Sequence, residues 1–315
     1  MLLSLASLSS QSSLVTPLQA AVLGLIEGIT EYLPISSTGH LIIASALMGL
    51  DAPPERKAAV DSFNIIIQGG AILAVLGLYW PRVLQMLNGL LGRDRAGLRL
   101  AIHLLVAFMP AAVLGVLLDD WIDARLFFAG PVLAALLLGG VFMIGIDRWK
   151  IRPHRLDARL DAGRDIAELR WTHALCIGLL QCAAMWPGTS RSMMTIAGGV
   201  LVGLKPRQAA EFSFLLGLPT LGGACVYKLA KDLAGDGPHM FDVIGWAPVL
   251  IGIVVATLSA AVAVRWLVGF LTRHGLSVFG VYRIILCLIL GGLWLTGAVS
   301  IAPDQPAGPT AETAP

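Results

Sequence analysis

The sequence predicts an all-α polytopic membrane protein, with six transmembrane helices plus two re-entrant helix pairs arranged as an inverted-topology repeat. Three observations carry this expectation. Apolar residues make up 57% of the 315-residue chain and charged residues only 13%, where soluble domains carry about 25% charged residues; mean hydropathy is +0.80. Six stretches are long and apolar enough to cross ~30 Å of hydrocarbon as helices. Two further apolar segments each break at a Pro followed by Ser and Thr.

The spans fall near residues 63–80, 100–118, 127–147, 211–230, 246–267 and 282–300, in a single integral membrane domain over 1–300. Trp80, Trp121, Trp149, Trp246 and Trp266 sit near their ends, as expected of an interfacial belt. Loop 81–99 carries Arg82, Arg93, Arg95 and Arg99. Loop 148–170 carries Arg148, Lys150, Arg152, Arg155, Arg159, Arg164 and Arg170, whereas Asp119-Asp120-Trp121-Ile122-Asp123 between the two loops is acidic. The positive-inside rule then makes the basic loops cytoplasmic and the acidic segment external, with both termini outside. The first basic residue is Arg56, so no charged n-region of a cleavable signal peptide precedes the spans. A net charge of +2 is too small to suggest a nucleic-acid partner. Cys176, Cys182, Cys225 and Cys287 lie in apolar stretches without metal-like spacing and read as packing residues. The Pro- and Ala-rich tail 301–315 is expected to be disordered.

The interrupted segments are 17–50 and 171–203. One contains Gly24-Leu25-Ile26-Glu27-Gly28-Ile29-Thr30-Glu31-Tyr32-Leu33-Pro34-Ile35-Ser36-Ser37-Thr38-Gly39-His40, and the other Gly178-Leu179-Leu180-Gln181 running to Pro187-Gly188-Thr189-Ser190-Arg191-Ser192. Aligned on Gly24 and Gly178, Glu27 pairs with Gln181, and the two breaks fall one residue apart. Three spans separate the copies, so they enter the bilayer from opposite sides: repeat 1 covers about 17–118 and repeat 2 about 171–267, with 127–147 and 282–300 completing the bundle. Irregular backbone at membrane depth is tolerated only where protein or a watery cavity satisfies it. The breaks are therefore the candidate site.

Glu27 and Glu31 share one helix face, and carboxylates in an apolar segment are costly unless paired, protonated or metal-bound. His40 follows the Ser36-Ser37-Thr38-Gly39 turn; His103, lacking such neighbours, reads as structural. Arg191 lies between Ser190 and Ser192 in an otherwise apolar repeat, and its forked donor suits a phosphate. The alternative is a purely structural pair with Glu27 or Glu31. The return half-helices begin at the two breaks and offer free N–H groups to an anion, and Thr195 can face the same place. Carboxylates, an imidazole, an arginine and two anion-seeking helix ends form an inventory for phosphoryl transfer. The aliphatic surroundings point to a lipid phosphate.

These motifs resemble the bacterial undecaprenyl-diphosphate phosphatase (bacitracin-resistance) family. Gln68–Val75, Ala210–Leu216 and Phe279–Ile284 carry further likeness, whereas Met193 departs from the glycine common there, which is expected to narrow the pocket. The resemblance implies hydrolysis of C55-isoprenyl diphosphate to the monophosphate, recycling the carrier lipid for peptidoglycan synthesis and so bearing on cell shape and bacitracin resistance. It also implies a bacterial inner-membrane location, a site opening to the extracytoplasmic side, and Mg²⁺ or Ca²⁺ on Glu27 and Glu31. On this reading Glu27 and Glu31 orient His40 or hold the metal, His40 or Ser37 is the nucleophile, and Ser36, Thr38, Ser190, Arg191, Ser192 and Thr195 bind phosphate. Direct attack by water and a possible homodimer stay open. The competing reading is a secondary transporter or flippase of a lipid phosphate or anion, because inverted repeats with broken helices are also a transporter architecture.

Overall fold

The computed structural model describes residues 14–51, 54–151, 163–234, 241 and 244–299. The expected disorder of the tail, the loop arginines Arg152, Arg155 and Arg159, and His154 and His239 lie outside them. Helix α1 (Pro17–Thr30) starts at a capping box, in which Thr16 Oγ1 accepts from the Gln19 N–H and the Gln19 side chain accepts from the Thr16 N–H, with Pro17 at the first helical position. It stops at the Pro34 break and returns as α2 (Ser37–Leu47). The second interrupted segment does the same with α7 (Trp171–Cys182) and α8 (Arg191–Leu201). The long helices are α3 (Pro54–Leu78), α5 (Arg95–Leu126), α6 (Ala129–Ile146), α9 (Pro206–Leu233), α10 (Trp246–His274) and α11 (Ser277–Leu295). Among the described residues there are six helices long and apolar enough to cross a membrane, so the chain is a multi-pass, all-α membrane protein.

Each expected span lies within or overlaps one of these helices, but several helices run past it. The span expected at 282–300 begins at Ser277 instead. That shift moves Tyr282 and Arg283 from the edge of the span into its body. The basic loop 81–99 is also not plain loop. It contains α4 (Trp80–Leu90), which packs on α5; Cβ atoms at Gly89 and Gly97 would collide with the opposite helix backbone, so the pair closes only with glycine there.

The packing partners exchange in a regular way. α1 packs against α2 and α10, and α7 against α8 and α5; α3 meets α9, and α6 meets α11. Swapping the first five-helix set (α1, α2, α3, α5, α6) for the second (α7 to α11) maps these contacts onto one another. The aligned glycines make equivalent close approaches: a Cβ on Gly24 would strike the Gly252 carbonyl of α10, and one on Gly178 the Ala107 carbonyl of α5. Asp147 ties α6 to α11 by accepting from the Leu276 N–H and from Ser277 Oγ. The four cysteines are free thiols. Three of them (Cys182, Cys225 and Cys287) donate to backbone carbonyls, which suits packing residues.

Candidate active site at the two helix breaks

Both breaks use the same unusual backbone. Ser36 (φ 73°, ψ 97°) caps α2 and Ser190 (φ 76°, ψ 116°) caps α8, and they are the only described non-glycine residues with positive φ. Such conformations cost of order 1–3 kcal/mol each and persist where the surroundings over-determine them. Each serine side chain caps its own helix, Ser36 Oγ taking the Gly39 N–H and Ser190 Oγ the Met193 N–H.

The two turns meet side chain to side chain. Glu31 is the hub: its Oε2 accepts from Ser37 Oγ at 2.9 Å and its Oε1 from Arg191 Nη2 at 3.2 Å. Arg191 also donates from Nη1 to the Ser213 carbonyl at 2.9 Å and lies over the Tyr32 ring, 5.2 Å from its centroid. Its Nε has no hydrogen-bond partner among the described residues. Gly217 makes room for the guanidinium, since a Cβ there would sit 3.2 Å from both Arg191 terminal nitrogens. The structural pair anticipated for Arg191 therefore exists, yet it leaves one donor of the fork free.

Glu27 lies one helical turn before Glu31 and is fully buried, and among the described residues neither carboxylate oxygen has a hydrogen-bond partner. Its charged neighbours are Glu31 and Arg191. A buried carboxylate without donors costs several kcal/mol, so these oxygens form an open donor set for a hard cation. The fit is partial, because no three His, Cys, Asp or Glu side chains converge among the described residues. A divalent cation here would draw carboxylate oxygens from Glu27 and Glu31 and would need further oxygen ligands from outside the protein.

Several expected roles change on the structure. His40 is not held by the glutamates: its Nδ1 lies 2.7 Å from the Ser36 carbonyl and its Nε2 2.7 Å from Tyr282 Oη. Ser192 and Thr195 are fully buried, and both hydroxyls bond within the protein. Ser192 Oγ donates to the Leu33 carbonyl at 2.9 Å, joining the second break to the first, and Thr195 Oγ1 donates to the Arg191 carbonyl and lies 2.6 Å from Ser213 Oγ. Ser190, Arg191, Ser37 and Thr38 are half-buried. Met193 fills the space toward Gly139 of α6 beside Arg283.

Arg283, Tyr282 and Ser213 escaped the sequence reading. Arg283 is fully buried; its Nη2 donates to the Ala135 and Gly188 carbonyls at 2.9 and 2.8 Å, while Nε and Nη1 have no hydrogen-bond partner among the described residues. It is also within electrostatic reach of His40. An arginine inside an apolar span was the available signal, masked by placing the span boundary at residue 282.

The two helix breaks of this multi-pass membrane protein thus gather a carboxylate pair, a serine hydroxyl and an arginine, with a second arginine on the Gly188 carbonyl, groups able to hold an anion and move a proton. The family model described as bacitracin resistance protein BacA matches residues 20–289, and the chain belongs to that family. It is 45% identical over 290 residues to undecaprenyl-diphosphatase 2 of Rhodospirillum rubrum, covering 91% of this chain and 98% of that protein. Undecaprenyl-diphosphatase of Sorangium cellulosum is 43% identical over 88% of this chain and 85% of its own length. Undecaprenyl-diphosphatase 1 of Pseudomonas fluorescens is 44% identical over 92% and 99%.

Proposed function

We propose that this chain is an undecaprenyl-diphosphate phosphatase that uses Ser37 as nucleophile. The observation that carries the assignment of roles is the contact between Ser37 Oγ and Glu31 Oε2 at 2.9 Å, a nucleophile already on its base and at the start of a helix. His40 serves less well as nucleophile, because both ring nitrogens are engaged.

In the proposed reaction the terminal phosphate lies against the N-terminal ends of α2 and α8. Arg191 offers Nε, and Arg283 offers Nε and Nη1, to the diphosphate oxygens. Ser37 Oγ attacks the terminal phosphorus while Glu31 takes its proton; the bond from phosphorus to the bridging oxygen breaks, and the lipid monophosphate leaves. Water then hydrolyses the phosphoserine, releasing phosphate and restoring the Ser37 proton. A divalent cation held by Glu27 and Glu31 would neutralise diphosphate charge. The positive-inside count supports the α5–α6 and α9–α10 turns lying outside, and the family resemblance implies a bacterial inner-membrane location with the site open to that side. The product monophosphate would re-enter cell-wall lipid synthesis.

The exchange-symmetric packing favours one second reading, a carrier or flippase of a lipid phosphate. Phosphate release from undecaprenyl diphosphate by purified protein separates the two. Turnover in the wild type, lost in Ser37→Ala and Arg191→Ala, supports the enzyme. A folded, lipid-supplemented wild type that releases no phosphate would leave the carrier.

A further inference from the structure

We propose that Tyr282 is a positioning residue of this site: its hydroxyl fixes the tautomer of His40, and His40 in turn holds the strained turn that presents Ser37. The proposal rests on the phosphatase reading above and adds to it a residue from the opposite end of the chain.

The argument starts from what each atom can donate. The Ser36 carbonyl is only an acceptor, so His40 Nδ1, 2.7 Å away, carries a proton. A neutral imidazole then has its lone pair on Nε2, and Tyr282 Oη, 2.7 Å away, is the donor that meets it. The rings are nearly parallel, 6° apart with centroids at 5.6 Å, so the tyrosine also sets the imidazole plane. With Nε2 occupied in this way, the Nδ1–H form is favoured and its proton points at the Ser36 carbonyl.

The second break shows what His40 replaces. There the carbonyl of Ser190 takes an ordinary backbone bond from the Met194 N–H at 3.2 Å. His40 stands at the corresponding position after Ser36, and its side chain takes the carbonyl instead. Ser36 Oγ adds only a long contact of 3.4 Å to the Gly39 N–H. The imidazole is thus the tight fastening of a turn held at φ 73°, and Ser37 is the next residue. Tyr282 is 42% exposed on α11, its neighbours Val281 and Ile285 also exposed, so the dyad bridges α2 and α11 at an exposed apolar face.

Tyr282→Phe keeps the ring and deletes the donor. In lipid-supplemented detergent, with undecaprenyl diphosphate as substrate, kcat is expected to fall about three- to tenfold, the effect of one neutral hydrogen bond, with KM within about twofold. Tyr282→Leu, which also removes the plane, is expected to fall further. The tautomer is read directly by ¹⁵N NMR of histidine-labelled protein, with His40 assigned from its loss in His40→Gln. Wild type should show protonated Nδ1 and unprotonated Nε2, and Tyr282→Phe should drift toward the Nε2–H form. A wild-type Nε2–H tautomer, or a Tyr282→Phe enzyme with unchanged kcat, would overturn the proposal. A wild type with the expected tautomer but no phosphate release would overturn the phosphatase reading and leave the Tyr282–His40 contact intact.

Discussion

Glu27 stands out at the scale of single residues because burial and bonding disagree: it is fully enclosed, yet among the described residues no N–H or hydroxyl donates to either oxygen. Natural helices avoid this arrangement unless the group has work to do. Glu27→Gln should therefore separate function from stability. The neutral amide keeps the shape and takes away a buried acid beside the Glu31 carboxylate, so the detergent-solubilised protein should gain about 1–3 kcal/mol, seen as a higher melting temperature, while phosphate release falls sharply. A mutant that melts lower would show that Glu27 is paired in solution. Arg191→Lys keeps the charge but loses the fork that reaches Glu31 and the Ser213 carbonyl while leaving Nε for substrate. Turnover should drop by a factor of about ten or more with the melting temperature nearly kept; near-wild-type turnover would count against forked binding of phosphate. Glu27, Glu31, Ser37, His40 and Arg191 were legible as candidates because polar groups in apolar segments are conspicuous. The bond between His40 and Tyr282 was not, since it joins positions 242 residues apart. Nor could the sequence tell that the Ser192 hydroxyl reaches the Leu33 carbonyl of the other break, because that bond joins positions 159 residues apart.

Among the elements, α1 shows how pattern becomes packing. Gly24 and Gly28 lie one turn apart and let α1 touch the backbone of α10; a Cβ on Gly28 would meet Ser259 Oγ and the Ala256 carbonyl. Gly28→Val is expected to force α1 away from α10 and cost about 1–3 kcal/mol or more, lowering the melting temperature and displacing Glu27 and Glu31 together. Gly77→Ala in α3, with nothing within 4 Å of the new methyl, is the tolerated control. Equal melting of the two variants would mean that the α1–α10 contact is looser than described. The sequence marked both breaks through Pro34 and Pro187 with the hydroxyl runs that follow. It missed α4, because Trp80–Leu90 is short and mixes Arg82, Gln85 and Asn88 with leucines, which reads as a connection until α5 is there to receive Gly89.

For the molecule as a whole, ion pairs tie helix ends together on the two sides. Arg82 near the start of α4 holds Glu211 of α9 at 2.7 Å, and Lys231 at the far end of α9 lies 3.9 Å from Asp119 of α5. The basic loop and the acidic segment thus lie at opposite ends of the bundle, the charge asymmetry that orients a membrane protein. In intact cells, Lys231→Cys should react with a membrane-impermeant maleimide, and Arg93→Cys only after permeabilisation. The reverse pattern would invert the proposed topology and the side to which the site opens.

By itself the sequence determined the solvent, the helical class, the six spans and the two interrupted segments. Each of these follows from composition or from local runs of residues, and hydrocarbon enforces them segment by segment. Only the tertiary structure decided which polar groups meet. Glu31 binds Ser37 and Arg191, Arg283 braces the second break through the Gly188 carbonyl, and Tyr282 takes His40. Side-chain partners in a bundle are set by helix rotation and by close approaches at glycine, and those are properties of packed surfaces rather than of any one segment.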